Sequence, residues 1–211
     1  MKLTSPKISP ELTSKHFSDI FYEEDPELEM CLVEDSEFTN EAVDRARIYN
    51  TVLKNCQFNH TDFCNIQLTD VRFENCDLSN VNLRGASIHR VEFINCKLLG
   101  SDFTESSLGN VKFEQSILNM VAFGDSKLEK VLFQESVLHH ADFYDCTFKK
   151  IGFEQCDLNE ANFEQTALKD VDLSTSKFDR LTVSIADLNG CKVSSAQAVQ
   201  LASLMGVVVK D

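Results

Sequence analysis

Every fifth residue is apolar from Phe38 to Val193. Positions ending in 3 or 8 hold only Phe, Leu, Ile or Val for thirty-two consecutive steps. Fourteen of the sixteen Phe residues lie on this lattice; Phe17 and Phe21 are the exceptions. A helix repeats its faces near 3.6 residues, and a strand alternates with period two. A step of five is therefore neither, and the chain must turn once per five residues. An unbroken internal repeat of this kind fixes architecture before any motif is considered.

A second column lies two residues before the first. It runs Cys56, Thr61, Ile66, Val71, Cys76, Val81, Ala86, Val91, Cys96, Ser101, Ser106, Val111 and onward through Val171. Residues two apart on an extended backbone share a face. Each unit therefore points one small and one large side chain inward and three mostly polar ones outward. Comparison at twenty residues aligns the β-branched series Val71, Val91, Val111, Val131, Ile151 and Val171, as stacked rungs would want. Phe dominates centres ending in 3 and Leu those ending in 8, an alternation that lets rings on opposite sides share the interior.

Units such as Cys76-Asp77-Leu78-Ser79-Asn80 and Ala161-Asn162-Phe163-Glu164-Gln165 resemble the pentapeptide-repeat family. The resemblance implies an all-β fold, a right-handed quadrilateral β-helix with four units per twenty-residue coil. Thirty-two units make about eight coils, a rod roughly 38 Å long at a rung spacing of about 4.8 Å. Gly and Pro are scarce, at seven and three, and no unit is interrupted, so no long loop is expected.

An open solenoid needs capped ends. Residues 1–35 read as an N-terminal cap with a short helix around Ser14–Phe21, residues 36–195 as the solenoid, and residues 196–211 as a C-terminal cap. There, Ser194 or Ser195 starts a helix through Met205, with Ala198, Leu201, Ala202 and Met205 on one face. Gly206 stops it, and Val207–Val209 read as a final strand. This tail resembles that of the Qnr/MfpA quinolone-resistance subgroup, and the unbroken repeat frame resembles its loopless, Gram-positive chromosomal members. The resemblance implies a homodimer, two rods end to end, through Leu201, Leu204, Met205, Val207, Val208 and Val209. Three successive Val residues also leave more apolar edge than one rod needs to cover.

Net charge is −14, which disfavours direct nucleic-acid binding. Its distribution says more. The side centred on Val43, Phe63, Leu83, Phe103, Phe123, Phe143, Phe163 and Val183 carries eight acids and two bases. The next side carries seven bases and four acids, with Lys127, Lys130, Lys149, Lys150 and Lys169 together. The acidic side has the line of negative charge that a DNA-gripping protein would meet. The subgroup resemblance implies DNA gyrase, and its relative topoisomerase IV, as partners of a DNA mimic that protects them from fluoroquinolones or inhibits them. The partner-binding candidates are Asp62, Asp102, Glu105, Asp125, Asp142, Asp145 and Glu164. The alternative is a scaffold for another protein, docking through an outward apolar patch at Leu99, Ile117, Met120 and Val137.

No phosphate-binding Gly loop, Gly-x-Ser-x-Gly or Cys-x-x-Cys is present. Neither enzymatic activity, a cofactor nor a metal is expected. Outward neighbours such as His139 and His140 diverge on a strand and suit no shared metal. Seven of the eight Cys residues occupy the small inward slot, which points to reduced core thiols; Cys64 takes an outward slot. Without an N-terminal apolar signal or a membrane-length apolar run, a cytoplasmic protein is expected, with no membrane partner.

Overall fold

Each unit ends in a corner, and one backbone conformation sets it. In the computed structural model, which describes residues 1–22 and 25–210, every fifth residue from Met30 to Asp170 is left-handed. Only Gly85 and Gly100 among these are glycine; Asn, Asp and His fill fifteen of the remaining twenty-seven positions. A left-handed residue with a Cβ costs about 1–2 kcal/mol, least for short polar side chains that bond locally. The fifth position of the repeat therefore selects for left-handed tolerance as much as for polarity.

The strands are β1 (Thr13–Lys15), β2 (Glu27–Glu29), β3 (Cys31–Glu34), β4 (Arg47–Lys54), β5 (Gln67–Glu74), β6 (Ser87–Ile94), β7 (Ser107–Glu114), β8 (Lys127–Gln134), β9 (Thr147–Glu154), β10 (Ala161–Asn162) and β11 (Leu181–Thr182). All pairings are parallel. From β4 to β9 the register is twenty residues throughout, as in Val71↔Val91 and Phe93↔Phe113. The coil is thus four units, and the molecule is a parallel β-solenoid of about eight coils. On two sides of each coil the strand runs unbroken through its corner. The other two sides close as tight turns, for example Ile66 N–H to Phe63 C=O at 3.1 Å and Val81 N–H to Leu78 C=O at 3.3 Å.

The interior holds two facing Phe ladders. Phe73, Phe93, Phe113, Phe133 and Phe153 stack with centroids 4.9–5.0 Å apart. Phe103, Phe123, Phe143 and Phe163 stack opposite, at 5.0–5.1 Å. The two ladders meet edge to face, as between Phe123 and Phe133 at 5.9 Å. The expected sharing of the interior by opposed rings is therefore how the rod is filled.

The small inward slot also joins coils. Ser116 Oγ accepts from Cys96 N–H at 3.0 Å and donates to the Glu114 carbonyl at 2.9 Å. Ser106, Ser126 and Ser136 repeat this bridge, and Thr166 and Ser176 extend it. At extended corners such as Cys96 the hydroxyl satisfies a backbone N–H that the ladder leaves unpaired, while at Ala86 and Ser106 it adds to a turn bond already made.

Both ends depart from the sequence reading. The N-terminal helix expected at Ser14–Phe21 is β1 followed by a 3₁₀ turn, Phe17–Phe21. Pairing of Thr13–Lys15 with Cys31–Val33 outcompetes helix there. The turn delivers Phe17 into the open end, against Phe38, Phe58 and Phe63 at 4.7–5.7 Å. Residues 4–9 run along an outer corner, with Ser9 N–H bonded to Asn50 at 2.7 Å, Lys7 N–H to Asp70 at 2.8 Å and Thr4 N–H to Asn110 at 3.2 Å. The segment Glu23-Glu24 lies outside the described residues.

At the other end, α1 (Ser195–Leu201) and a 3₁₀ turn (Ala202–Met205) reach a left-handed Gly206, as expected. The buried contact is different. Gln197 plugs the last coil, its Nε2 donating to the carbonyls of Leu173 and Ser176, both at 2.8 Å. Of the expected apolar face, Leu201 and Ala202 are half-buried, with Leu201 packed on the core, whereas Ala198 is exposed and Met205 is 63% exposed. Val207–Val209, expected as a strand, form none and pair with no strand among the described residues.

Candidate functional site

The acidic side is built from two kinds of position. Asp62, Asp102 and Asp142 precede the large inward residue and lie in one rung column with Asn82, Ala122 and Asn162. Each carboxylate accepts the N–H two residues on: Cys64 at 3.0 Å, Thr104 at 2.8 Å and Tyr144 at 3.1 Å. Asn82 and Asn162 make the same bond, to Arg84 and Glu164, each at 3.0 Å. A side-chain oxygen favours these turns, although Ala122 turns without one. The column does not need a charge, because an amide supplies that oxygen equally well. The Asn82 and Asn162 amides also donate back to Asp62 at 2.8 Å and Asp142 at 2.9 Å.

Asp125 and Asp145 occupy left-handed corners on adjacent rungs, with φ 59° and 50°. Asn would suit those corners as well, so charge is again surplus to the fold. Asp62, Asp125, Asp145 and Glu164 are exposed, and Asp102 and Asp142 are partly so. Glu105 differs. Arg84 pairs with it, which cancels its charge. Asp44 is likewise matched by Arg45 at 3.5 Å. The structure thus brings Asp62, Asp102, Asp125, Asp142, Asp145 and Glu164 onto one side without basic partners among the described residues, and sets Glu105 apart. Those six acids span five rungs, about 24 Å, or one charge per about 4 Å. Duplex DNA carries about one per 1.7 Å, so the side reproduces its sign and linear course at less than half its density.

On the neighbouring side Arg90 chelates Asp70 at 2.6 and 2.7 Å, holding the Asp70 carboxyl below its ordinary range. Lys149 bonds Glu129 at 2.7 Å. In the apolar patch, Ile117 and Met120 are 44% and 62% exposed, while Leu99 and Val137 are half-buried. Of the tail residues, Val208 is 82% exposed, Val207 and Val209 are each half exposed, and Leu204 and Met205 face solvent; Leu201 packs partly on the core.

All eight cysteines are free. Burial pushes the Cys146 thiol up to about 12 and that of Cys156 to about 11. Cys64 is only half exposed and takes a bond from Asn65 Nδ2 at 3.3 Å. Cys191, expected inside, is also half exposed, because the regular corners end before the last units. His139 and His140 diverge, towards Asp157 at 2.9 Å and Glu160 at 3.2 Å. Among the described residues, no three His, Cys, Asp or Glu groups are placed to hold a metal ion, and no helix is long and apolar enough to cross a membrane.

A parallel solenoid of five-residue units, with left-handed corners throughout and Asx-type bonds at the turns of two sides, defines a class of β-solenoid repeat proteins. The profile of the pentapeptide repeat region matches residues 66–143 and 86–163, and that of pentapeptide repeats (8 copies) matches 46–85 and 156–194. The chain belongs to the pentapeptide-repeat family. Among solved structures it is similar to full-length QnrB1, a plasmid-mediated fluoroquinolone resistance protein, at 18% identity over 83% of this chain and 100% of that one, with a TM-score of 0.48. A trypsin-treated QnrB1 variant gives 23% identity over 85% and 92%, with the same TM-score. HetL, a pentapeptide repeat protein involved in heterocyst differentiation regulation from the cyanobacterium Nostoc sp. strain PCC 7120, gives 14% over 76% and 86%, at 0.32. No curated protein matches the chain significantly.

Proposed function

We propose that the chain is a DNA mimic that binds type II topoisomerases, DNA gyrase and topoisomerase IV, and protects them from fluoroquinolones or inhibits them. One observation carries the reading: five aspartates sit where the turn would accept Asn, and all lack a basic partner. Charge that folding does not require, lined up on a rigid rod, suits a surface that grips a polyanion. Electrostatic complementarity of this kind speeds encounter and fixes register. The resemblance of the tail to the Qnr/MfpA subgroup supports the choice of partner. The exposed Leu204, Met205 and Val207–Val209 support a homodimer through that tail, which would double the length of the acidic line.

The test is gyrase supercoiling in the presence of ciprofloxacin, with this protein titrated in. Restored supercoiling at low dose and inhibition at higher dose are expected. Combined Asp102→Asn, Asp125→Asn, Asp142→Asn and Asp145→Asn should abolish both effects while leaving thermal stability near that of the parent. An unchanged dose response from the neutralised protein sinks the mimic. Loss of partner capture on Ile117→Ser/Met120→Ser, with the aspartates dispensable, would establish the scaffold reading instead, which the exposure of Ile117 and Met120 favours.

A further inference from the structure

The solenoid splits on two of its four sides between β9 and the coil that follows. At earlier junctions a corner N–H bonds forward to the next rung. Asn55 reaches Glu74 at 2.9 Å, Asn75 reaches Ile94 at 3.0 Å, Asn95 reaches Glu114 at 2.9 Å, Gln115 reaches Gln134 at 3.0 Å and Glu135 reaches Glu154 at 2.9 Å. Gln155 breaks the series and bonds only the Thr175 hydroxyl, at 3.3 Å. Among the described residues no backbone-to-backbone hydrogen bond joins Thr147–Glu154 to the next coil, where only the Phe153 carbonyl is met, by the Ser176 hydroxyl at 3.0 Å and that of Thr175 at 3.5 Å, and the main sheet ends at β9. The coil bonds forward instead, with Leu168 N–H to Asp187 at 2.8 Å and Leu173 N–H to Lys192 at 2.8 Å. The other two sides stay joined, as at Leu158 N–H to Lys177 and Phe163 N–H to Thr182, 2.8 and 2.7 Å. The opening is therefore a wedge.

Its cause is readable. Phe148 stands where the equivalent residues 48, 68, 88, 108, 128 and 168 are Ile or Leu. Its ring packs edge-on against Phe143 at 5.7 Å and Phe163 at 6.4 Å, adding a third aromatic to that level of the core. The unbroken run of left-handed corners ends at Asp170, and tight turns replace the continuous strand. Val171 N–H bonds Leu168 at 3.0 Å, and Ser176 N–H bonds Leu173 at 2.9 Å. Those turns draw the coil away from β9.

The wedge opens a cleft of about 800 Å³ over an apolar floor of Phe148, Ile151, Ala167 and Val171, with Met1 at its margin beside Gly152 and Asp170 as its one acid. Lys2, Lys130, Lys149, Lys150 and Lys169 ring it, in a chain of net charge −14. Among the described residues only Lys149 has an ion-pair partner, Glu129. The Lys149 ammonium holds Glu129 below the ordinary carboxylate range, with Lys130 and Lys150 adding to the effect. Lys130 and Lys150 occupy left-handed corners on successive rungs, φ 55° and 58°. Stacked like charges repel, and Lys is a poor left-handed residue. Glu129 and Asp170 are the acids near these lysines, and Lys149 already takes Glu129, so the positive charge is only partly matched.

We infer that this wedge is a docking cleft for an extended acidic segment of a partner protein, added as a strand to the free edge of β9. Such a segment would pair the open backbone groups of β9 and set its carboxylates against the lysines. A small anion would neutralise the lysines but leave the edge unpaired. The test is fluorescence anisotropy with a labelled eight-residue peptide alternating Glu and Val, the length of β9. Saturable binding is expected. It should weaken roughly tenfold on N-methylation of the edge-facing peptide amides, and by a similar factor in the Lys149→Gln/Lys150→Gln/Lys169→Gln protein, with circular dichroism unchanged. A Lys-Val peptide should not bind. Absence of saturable binding, together with aggregation of the lysine-free protein, would mean that the lysines only guard an exposed edge. Binding indifferent to N-methylation, or fully displaced by inorganic phosphate, would reduce the cleft to an anion site and overturn strand addition.

Discussion

Replacing Ser116 by Ala should destabilise the rod more than the chemically identical change at Ser106. Both hydroxyls are buried, at 1% and 2% exposure. Both accept a backbone N–H from the preceding coil, Cys96 at 3.0 Å for Ser116 and Ala86 at 3.0 Å for Ser106. The difference lies in what the donor has left. Ala86 N–H also closes a tight turn onto the Leu83 carbonyl at 3.1 Å, so it stays partnered when Ser106 is truncated. Cys96 sits at an extended corner and has no such turn bond. Truncating Ser116 therefore strands a buried donor, at about 1–3 kcal/mol; truncating Ser106 removes only the net value of its bonds, about 0.5–1.5 kcal/mol. For a chain of this length, 2 kcal/mol corresponds to a fall in Tm of about 4–8 °C. Ser116→Cys should recover only part of the loss, since the thiols at Cys56, Cys76, Cys96 and Cys156 fill the same column and donate to carbonyls but accept no backbone N–H among the described residues. Urea and thermal unfolding followed by circular dichroism would measure the three variants, and amide exchange at Cys96 would localise the effect. Equal losses at Ser106 and Ser116, or a larger one at Ser106, would refute the view that the hydroxyl ladder stands in for missing corner bonds.

Acid should loosen the Asp70–Arg90 pair. The folded carboxyl lies below its unfolded value of about 3.9 because Arg90 bonds it. Its stabilisation is therefore complete above that value and fades as pH falls through the lower folded one. Urea midpoints taken between neutral pH and pH 3 should fall less steeply for Asp70→Asn than for the parent. Thiol labelling of the native protein should modify Cys64 first and Cys191 more slowly, its thiol being raised by burial to about 11, with the buried six reacting only in denaturant; rapid modification of all eight would contradict the packing. Phe148→Leu restores the residue found at neighbouring rungs, so it should hold stability within about 1 kcal/mol and slow amide exchange at Lys150 as the wedge closes. Faster exchange there would show that Phe148 does not prop the coils apart.

The repeat was legible because the lattice from Phe38 to Val193 admits one solution, a turn every five residues. The twenty-residue register, the opposed rings and the inward thiols followed from it. The ends were not legible, because caps obey one-off contacts rather than a period. Gln197 reads as a polar helix residue until its two carbonyl partners are seen, and Phe17 reads as an exception until it fills the open end. Val207–Val209 has strand composition, yet it pairs with no strand among the described residues. The left-handed corner had a visible signal in its wealth of Asn, Asp, His and Gly, which polarity alone concealed.

The same regularity shows where function can reside. Each slot of the unit has a stated requirement: a small donor or β-branched group, an oxygen for the turn, a large apolar body, a left-handed residue. Residues that meet the requirement and nothing more carry no further information. Asp at a slot content with Asn meets it with charge to spare, and this happens at five places on one side. Lys at a left-handed corner meets it badly, and this happens on successive rungs beside the open edge. Local choices that conflict with the fold without internal compensation are where sites are expected. By that criterion the rod presents two separate surfaces of opposite sign. The charge of each should change partner binding far more than it changes stability, whereas Ser116, Gln197 and Phe17 should behave in the opposite way.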